Sequence, residues 1–263
     1  GTGGILEGNL DDAIINVNTD AVYALTSTSY ITATHPVPAT GDFSVSWWQR
    51  SESTGAYQFP ISNGAGGGGN GFGSLWKDTG TYARFDLHPT GSPGTRYTTN
   101  FTTDTNIIYD NRWHHYAVTV DRDGNLVTYL DSVLANTNDI SADDGNSIGG
   151  AATFTIGRKS GTDFQGNIAD VRIYDDLLDI DEIQTLASKI NIEAVLGVNL
   201  VGWWKIAGTT IDITDSRPLG SANNGALTGS PATVYPFSVN VQDTMTTDGA
   251  VTVTQGKLEG LSL

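Results

Sequence analysis

The sequence contains no cysteine. That excludes a disulfide framework, a zinc–thiolate centre and a cysteine nucleophile, and says little about compartment. Positive charge is scarce: 13 Lys and Arg face 29 Asp and Glu, a net charge of −16. A surface of that sign repels phosphate backbones and anionic lipid head groups, so neither nucleic acid nor membrane insertion is expected. It suits solubility, a salty medium or divalent cations. Long apolar runs are missing too, since no stretch approaches the ~20 residues of a membrane span. The chain begins at Gly1 with no signal peptide, the pattern expected of a processed chain or a fragment.

What fills the space is Thr, Ser, Asn and 32 Gly, while charged residues reach only 16%. Thr favours the pleated strand, and Gly and Asn favour tight turns. At 263 residues the chain can bury a large core. Alternating runs recur: Phe43-Ser-Val-Ser-Trp47, Tyr116-Ala-Val-Thr-Val120, Leu126-Val-Thr-Tyr-Leu130, Phe154-Thr-Ile156 and Ile168 to Tyr174. Asp123-Gly124-Asn125, Asp144-Gly145-Asn146 and Ser160-Gly161 punctuate them. Short strands at this spacing predict an all-β antiparallel sandwich or barrel, and Asp121–Asn125 predicts a hairpin. Phe43, Val45, Trp47, Ala117 or its neighbours, Tyr129, Ile156, Val171 and Ile173 are the expected core.

One segment predicts a short helix. Asp179–Ile190 has acids in its first turn and Ile183, Leu186, Ala187 and Ile190 on one face. Gly64–Gly71 is glycine-rich, but a phosphate-cradling loop needs a helix behind it, and Phe72–Trp76 predicts a strand. From residue 191 the pattern changes to Leu200-Val-Gly-Trp-Trp204, a turn-rich stretch, and the strand-like runs Tyr235–Val241 and Ala250–Thr254. Gly4-Ile-Leu-Glu-Gly8 is echoed by Gly256-Lys-Leu-Glu-Gly260, either by chance or as a sign of head-to-tail units.

Residues 21–187 resemble the laminin-G-like, concanavalin-A-type jelly-roll domains of bacterial and phage surface proteins. The resemblance rests on Thr40–Trp48, on Arg112–Asp121, on Leu126–Leu134, and on Thr155–Gly157 with Phe164–Tyr174 and Asp179–Leu186. It implies a jelly-roll sandwich over residues 1–190 with an extra C-terminal β segment over 191–263. The family's usual opening text stands here at the far end, in Leu200–Trp204, Asp215-Ser216 and Asn223–Pro231. That segment is expected to complete the same sandwich or a neighbour's, or to open a truncated copy.

A glycoside hydrolase of this fold places two Glu and an Asp on one strand face. The nearest string, Asp179–Gln184, has Asp and Gln where the catalytic Glu residues belong, and Gln cannot serve as acid or base. No enzyme is expected. His114 and His115 are adjacent, so on a strand they face opposite ways and cannot share a metal. The resemblance implies a structural calcium ion (Ca2+) held by Asp170, Asp42 and Gly41, although Asp170 could instead pair with Arg172. It also implies carbohydrate binding, in which sugars stack on loop aromatics: Tyr57, Trp76, Tyr82, Tyr97 and Tyr109. The expected role is a non-catalytic glycan-binding or adhesion module, extracellular, on a cell or virion surface, with a glycan or surface polysaccharide as partner. The alternative is a structural subunit, a phage decoration or fibre protein, that assembles with its own kind or with other virion or surface proteins.

Overall fold

The computed structural model describes residues 15–259 except 18–21, 26–27, 35, 52–57, 64–70, 77–81, 91–95, 150–152, 160, 191, 194, 196–198, 207–222, 235–238, 242–251 and 255–256. The glycine-rich loop, Tyr57 and Gly4–Gly8 therefore lie outside the described residues.

In chain order the first strands are β1 (Ile15–Val17), β2 (Val22–Leu25), β3 (Tyr30–Thr34), β4 (Phe43–Arg50), β5 (Ile61–Asn63), β6 (Gly71–Trp76), β7 (Ala83–His88) and β8 (Tyr97–Thr102). A helical turn, α1 (Thr105–Ile108), precedes β9 (His114–Val120), β10 (Asn125–Leu130) and β11 (Val133–Asp139). Then come β12 (Thr153–Ile156), β13 (Arg158–Lys159), β14 (Thr162–Asp163), β15 (Gly166–Tyr174) and helix α2 (Ile180–Leu186). The tail adds β16 (Leu200–Trp204), β17 (Ala226–Thr228), β18 (Ala232–Val234), β19 (Val239–Val241), β20 (Thr252–Thr254) and β21 (Lys257–Glu259).

Two antiparallel sheets face each other. Sheet I runs β11-β10-β9-β4-β15-β2-β18, with β16 also on β15; sheet II runs β17-β3-β12-β5-β6-β7-β8. Between them lie Phe43, Val45, Trp47, Val118, Ile156, Val171 and Ile173, all fully buried, together with Phe72, Phe85 and Phe154. Tyr129 and Ala117, paired across β10 and β9, lie on the other face of sheet I, in the cluster under α2, where Tyr129 is half-buried; the neighbours of Ala117, Tyr116 and Val118, are the ones between the sheets.

β4 shows how the two faces divide. Phe43, Val45 and Trp47 point between the sheets, as strand alternation requires. Ser44 points the other way; its hydroxyl donates to the Asp176 carbonyl at 2.8 Å and accepts the Leu178 N–H at 2.9 Å. That pins the approach to α2, whose start is a capping box: Asp179 accepts the Glu182 N–H and Glu182 accepts the Asp179 N–H. Ile183 and Leu186 then seal the outer face of sheet I with Tyr174, Leu200 and Trp203.

β15 has to solve a parity problem. Ile168 and Val171 both face the core, yet they stand three positions apart, and strict alternation puts residues of one face an even number of positions apart. An extra residue absorbs the mismatch: the register shifts between Ala169 and Arg172, and Asp170 takes φ 52°. The far edge of β15 is then shared, with β2 on Gly166–Asn167 and β16 on Val171–Tyr174. The late strands thus join both sheets: β16 and β18 join sheet I, and β17 joins sheet II. Among the described residues no helix is long and apolar enough to cross a membrane.

Candidate functional site

α2 covers the outer face of sheet I, and the outer face of sheet II carries a row of small and polar residues, of which Ser62 and Asp86 are themselves buried. Register across six strands lines up Thr32, Thr155, Ser62, Gly73, Asp86 and Thr98. At a strand spacing of about 4.8 Å that row spans about 24 Å. In the next register, one residue along, Ile31, Ile156 and Ile61 face the core on β3, β12 and β5. Parity therefore sends the whole row outward.

The β7 end of this row is charged. Ala83, Phe85 and Leu87 are core, so Arg84, Asp86 and His88 share the outer face. Asp86 is the hub. Its Oδ1 lies 3.0 Å from Arg84 Nε and accepts from Arg96 Nη2 at 3.2 Å and Thr98 Oγ1 at 3.1 Å. Its Oδ2 lies 3.0 Å from Arg96 Nη2. Tyr82 packs on this cluster: its ring lies under the Arg84 guanidinium at 5.0 Å, and its hydroxyl accepts from Arg84 Nη1 at 2.7 Å.

Lys159 reaches in from β13. Its ammonium stands 3.5 Å from where a side chain on Gly73 would begin and 5.3 Å from the Phe59 ring centre. Any larger residue at 73 would fill the space under the ammonium. Burial pushes Lys159 down from the usual lysine range, with Asp86 opposing and Arg84 adding. Burial pushes Asp86 up, against the pull of Arg84, the Thr98 hydroxyl and Lys159. His88 is lowered by its burial and then by Lys159 and Arg84, so it stands neutral at pH 7. Further along, Arg158 lies over the Tyr30 ring at 4.5 Å and 3.3 Å from Asp163.

Of the aromatics expected to meet sugar, Tyr82 meets this cluster. Tyr97 packs against the core and its hydroxyl donates to the Asp143 carboxylate; burial and then Asp143 push it up to about 12. Tyr109 also packs against the core. Trp76 pairs with Ala83 on β6, and Tyr57 lies outside the described residues. Reading the sequence does not single out Arg84, Asp86, His88, Arg96 or Lys159. The available signal was the strict alternation of Ala83-Arg-Phe-Asp-Leu-His88.

Nor are Asp170, Asp42 and Gly41 brought together. Asp42 precedes β4, while Asp170 sits at the bulge opposite the Ser46–Trp48 part of that strand. Some five strand residues intervene, about 16 Å at the usual rise. Asp170 Oδ1 already accepts from Arg172 Nε at 2.7 Å and Trp203 Nε1 at 2.6 Å, and Oδ2 from Arg172 Nη2 at 3.3 Å. Asp42 accepts the Arg122 N–H at 2.8 Å. These positions do not fit a shared calcium cradle. Among the described residues no cluster of three or more His, Asp or Glu is set to hold a metal ion. The carboxylate string Asp179–Gln184 opens α2, where Asp179 and Glu182 serve as its cap.

His114 and His115 do face opposite ways. His114 bridges Asp131 at 2.7 Å and Asp110 at 3.1 Å, while His115 is buried against Trp48. Burial drives His115 down to about 3, with Asp131 opposing and Arg172 adding. Its folded value lies below the unfolded ~6.5. Stability is therefore full above about pH 6.5 and falls as pH drops toward 3, by up to ~1.4 kcal/mol per unit. Burial alone would lower His114, but the two carboxylates raise it, so its contribution is present below about pH 6.5 and fades as pH rises through its own value. The His115→Phe protein is expected to lose less melting temperature than wild type between about pH 6 and pH 4. Parallel slopes would refute this assignment.

A family model described as the concanavalin A-like lectin/glucanases superfamily matches residues 25–184. The chain belongs to that superfamily, as a laminin-G-like member. A Bacteroides ovatus protein assigned to carbohydrate binding superposes with TM-score 0.60 at 17% identity, covering 85% of this chain; the chain spans 62% of that protein's length. Domain 4 of an extracellular arabinanase from Geobacillus stearothermophilus, solved with arabinotriose, gives 0.50 at 21% identity, covering 71% of this chain and 86% of its own. The heptameric pentraxin of Limulus polyphemus gives 0.50 at 13%, covering 85% and 94%. These likenesses show the fold. No curated protein sequence matches the chain.

Proposed function

We propose that this chain is a non-catalytic glycan-binding module, and that the outer face of sheet II is its site. The observation that carries this reading is the row from Thr32 to Thr98: the half-buried hydroxyls of Thr32, Thr155 and Thr98 beside the buried Asp86–arginine cluster, on the sheet opposite the one that α2 covers. Sugars are recognised by such fixed hydrogen-bonding groups beside an aromatic ring, and Tyr82 supplies the ring. The names of similar structures point the same way: a carbohydrate-binding assignment in one, arabinotriose in another. A hydrolytic role is disfavoured, because glycoside hydrolysis needs a carboxyl pair across the scissile bond. Asp86, the carboxylate of this row, is tied to two arginines. Display on a cell or virion surface, where such a module serves adhesion, is part of the same proposal.

A glycan array on the intact chain is expected to give binders. Thr155→Trp, which builds a large ring onto the middle of the row, is expected to weaken binding at least tenfold with the melting temperature unchanged. Equal affinity in that variant would move the site off this face.

A further inference from the structure

Charge on the site's face runs against the charge of the chain. The whole protein carries −16, with 13 Lys and Arg in 263 residues. Yet Arg84, Arg96 and Lys159 converge around one carboxylate, Asp86, a local excess of two positive charges. Arg84 is spent on Asp86 and Tyr82. The other two are not. Arg96 uses only Nη2 on Asp86 among the described residues, and its side chain is 37% exposed. Lys159 makes no hydrogen bond or ion pair among the described residues, though its ammonium is drawn down over Gly73. An ammonium drawn partly out of water with no hydrogen-bond acceptor of its own among the described residues is costly, and one that remains there suits an anion arriving from solution.

We propose, resting on the glycan-binding reading above, that this site selects an acidic sugar and grips its carboxylate between Arg96 and Lys159. The planar fork of Arg96 matches a carboxylate in two-point contact, and Lys159 adds a point charge from the side. The half-buried Thr98 and Thr155 lie along the same face for the ring's own hydroxyls, while Ser62, buried, donates to the Arg158 carbonyl. The overall −16 shapes the choice further. It repels a densely charged polyanion at long range, while one carboxylate on a neutral glycan meets the local positive field only at contact.

The test is a panel in which each neutral sugar is paired with its uronate and its 6-sulfate: glucose, galactose and mannose, each as a short oligosaccharide. Calorimetry on the intact chain is expected to show the uronates binding at least tenfold tighter than their neutral parents. Lys159→Gln and Arg96→Gln should each erase that preference while leaving the melting temperature in place. Lys159→Arg should retain it, which a purely structural role for the lysine would not predict. Neutral sugars binding as tightly as uronates, with no effect of Lys159→Gln, would overturn the acidic-sugar proposal and leave the glycan reading standing. Preference for the sulfates would overturn the carboxylate assignment. Failure of every sugar, on this panel and on the array, would sink both.

Discussion

Asp170→Asn is expected to destabilise the protein by about 3–5 kcal/mol, the range for removing one partner of a buried ion pair. Arg172 and Asp170 are both essentially out of solvent, at 0% and 2% side-chain exposure. Once the carboxylate is gone, the guanidinium is left as an uncompensated buried charge. The damage spreads because Arg172 is a hub. Its ring-like plane lies 4.1 Å from the Trp203 ring centre, and its other donors reach the carbonyls of Ile192 and Val195. Tyr174 donates to the same Val195 carbonyl at 2.9 Å. One ion pair therefore fastens the segment after α2, strand β16 and the β15 bulge to each other. Asparagine is the informative substitution: it keeps the shape and tolerates the positive φ of 52°, so the loss reports charge rather than backbone strain. Urea unfolding measures it. A loss below about 1 kcal/mol would mean that Arg172 finds another partner and the hub is not electrostatic.

Cutting the chain after residue 190 is expected to abolish cooperative folding. Trp204 and Ile206 belong to the core between the sheets, and Trp204 stacks on Phe154 with ring centres 5.1 Å apart. Its indole N–H donates to the Asn223 carbonyl at 2.9 Å, tying the strand to the next part of the tail. Trp203 belongs to the cluster under α2 on the opposite face. The two tryptophans thus serve two different cores, as alternation requires of neighbours on a strand covered on both sides. Trp204→Ala alone is expected to cost about 3–5 kcal/mol. Truncation removes both rings, bares the Val171–Tyr174 edge of β15 and strips Arg172 of its carbonyl partners. The 1–190 chain should then bind a hydrophobic dye and show no sharp melting transition. A soluble, monomeric fragment with the melting temperature of the full chain would show that the tail is an independent unit.

Much of the fold was legible because strand alternation is a local property. Phe43, Val45 and Trp47 face one way whatever the rest of the chain does, and they are core. The helix at Asp179 was legible for the same reason: its capping box closes within four residues. Tyr129 is not legible in this way, because alternation says that two faces exist, not which is the interior. Asp170 is half legible: the sequence offers its pairing with Arg172, but a strict alternation from Ile168 hides the extra residue that the bulge inserts, and with it the burial of the pair against Trp203.

By itself the sequence determined the class of fold, the inward set on most strands, the helix and the absence of cysteine chemistry, since composition and short-range periodicity carry all of these. Only the tertiary structure decided that β16 docks on its own chain's β15, and which residues form the outer row of sheet II. Thr32, Ser62, Gly73, Asp86, Thr98 and Thr155 come from six strands whose order in the sheet, β3-β12-β5-β6-β7-β8, is not their order in the chain. Their meeting depends on long-range pairing and register, and no window of sequence contains it.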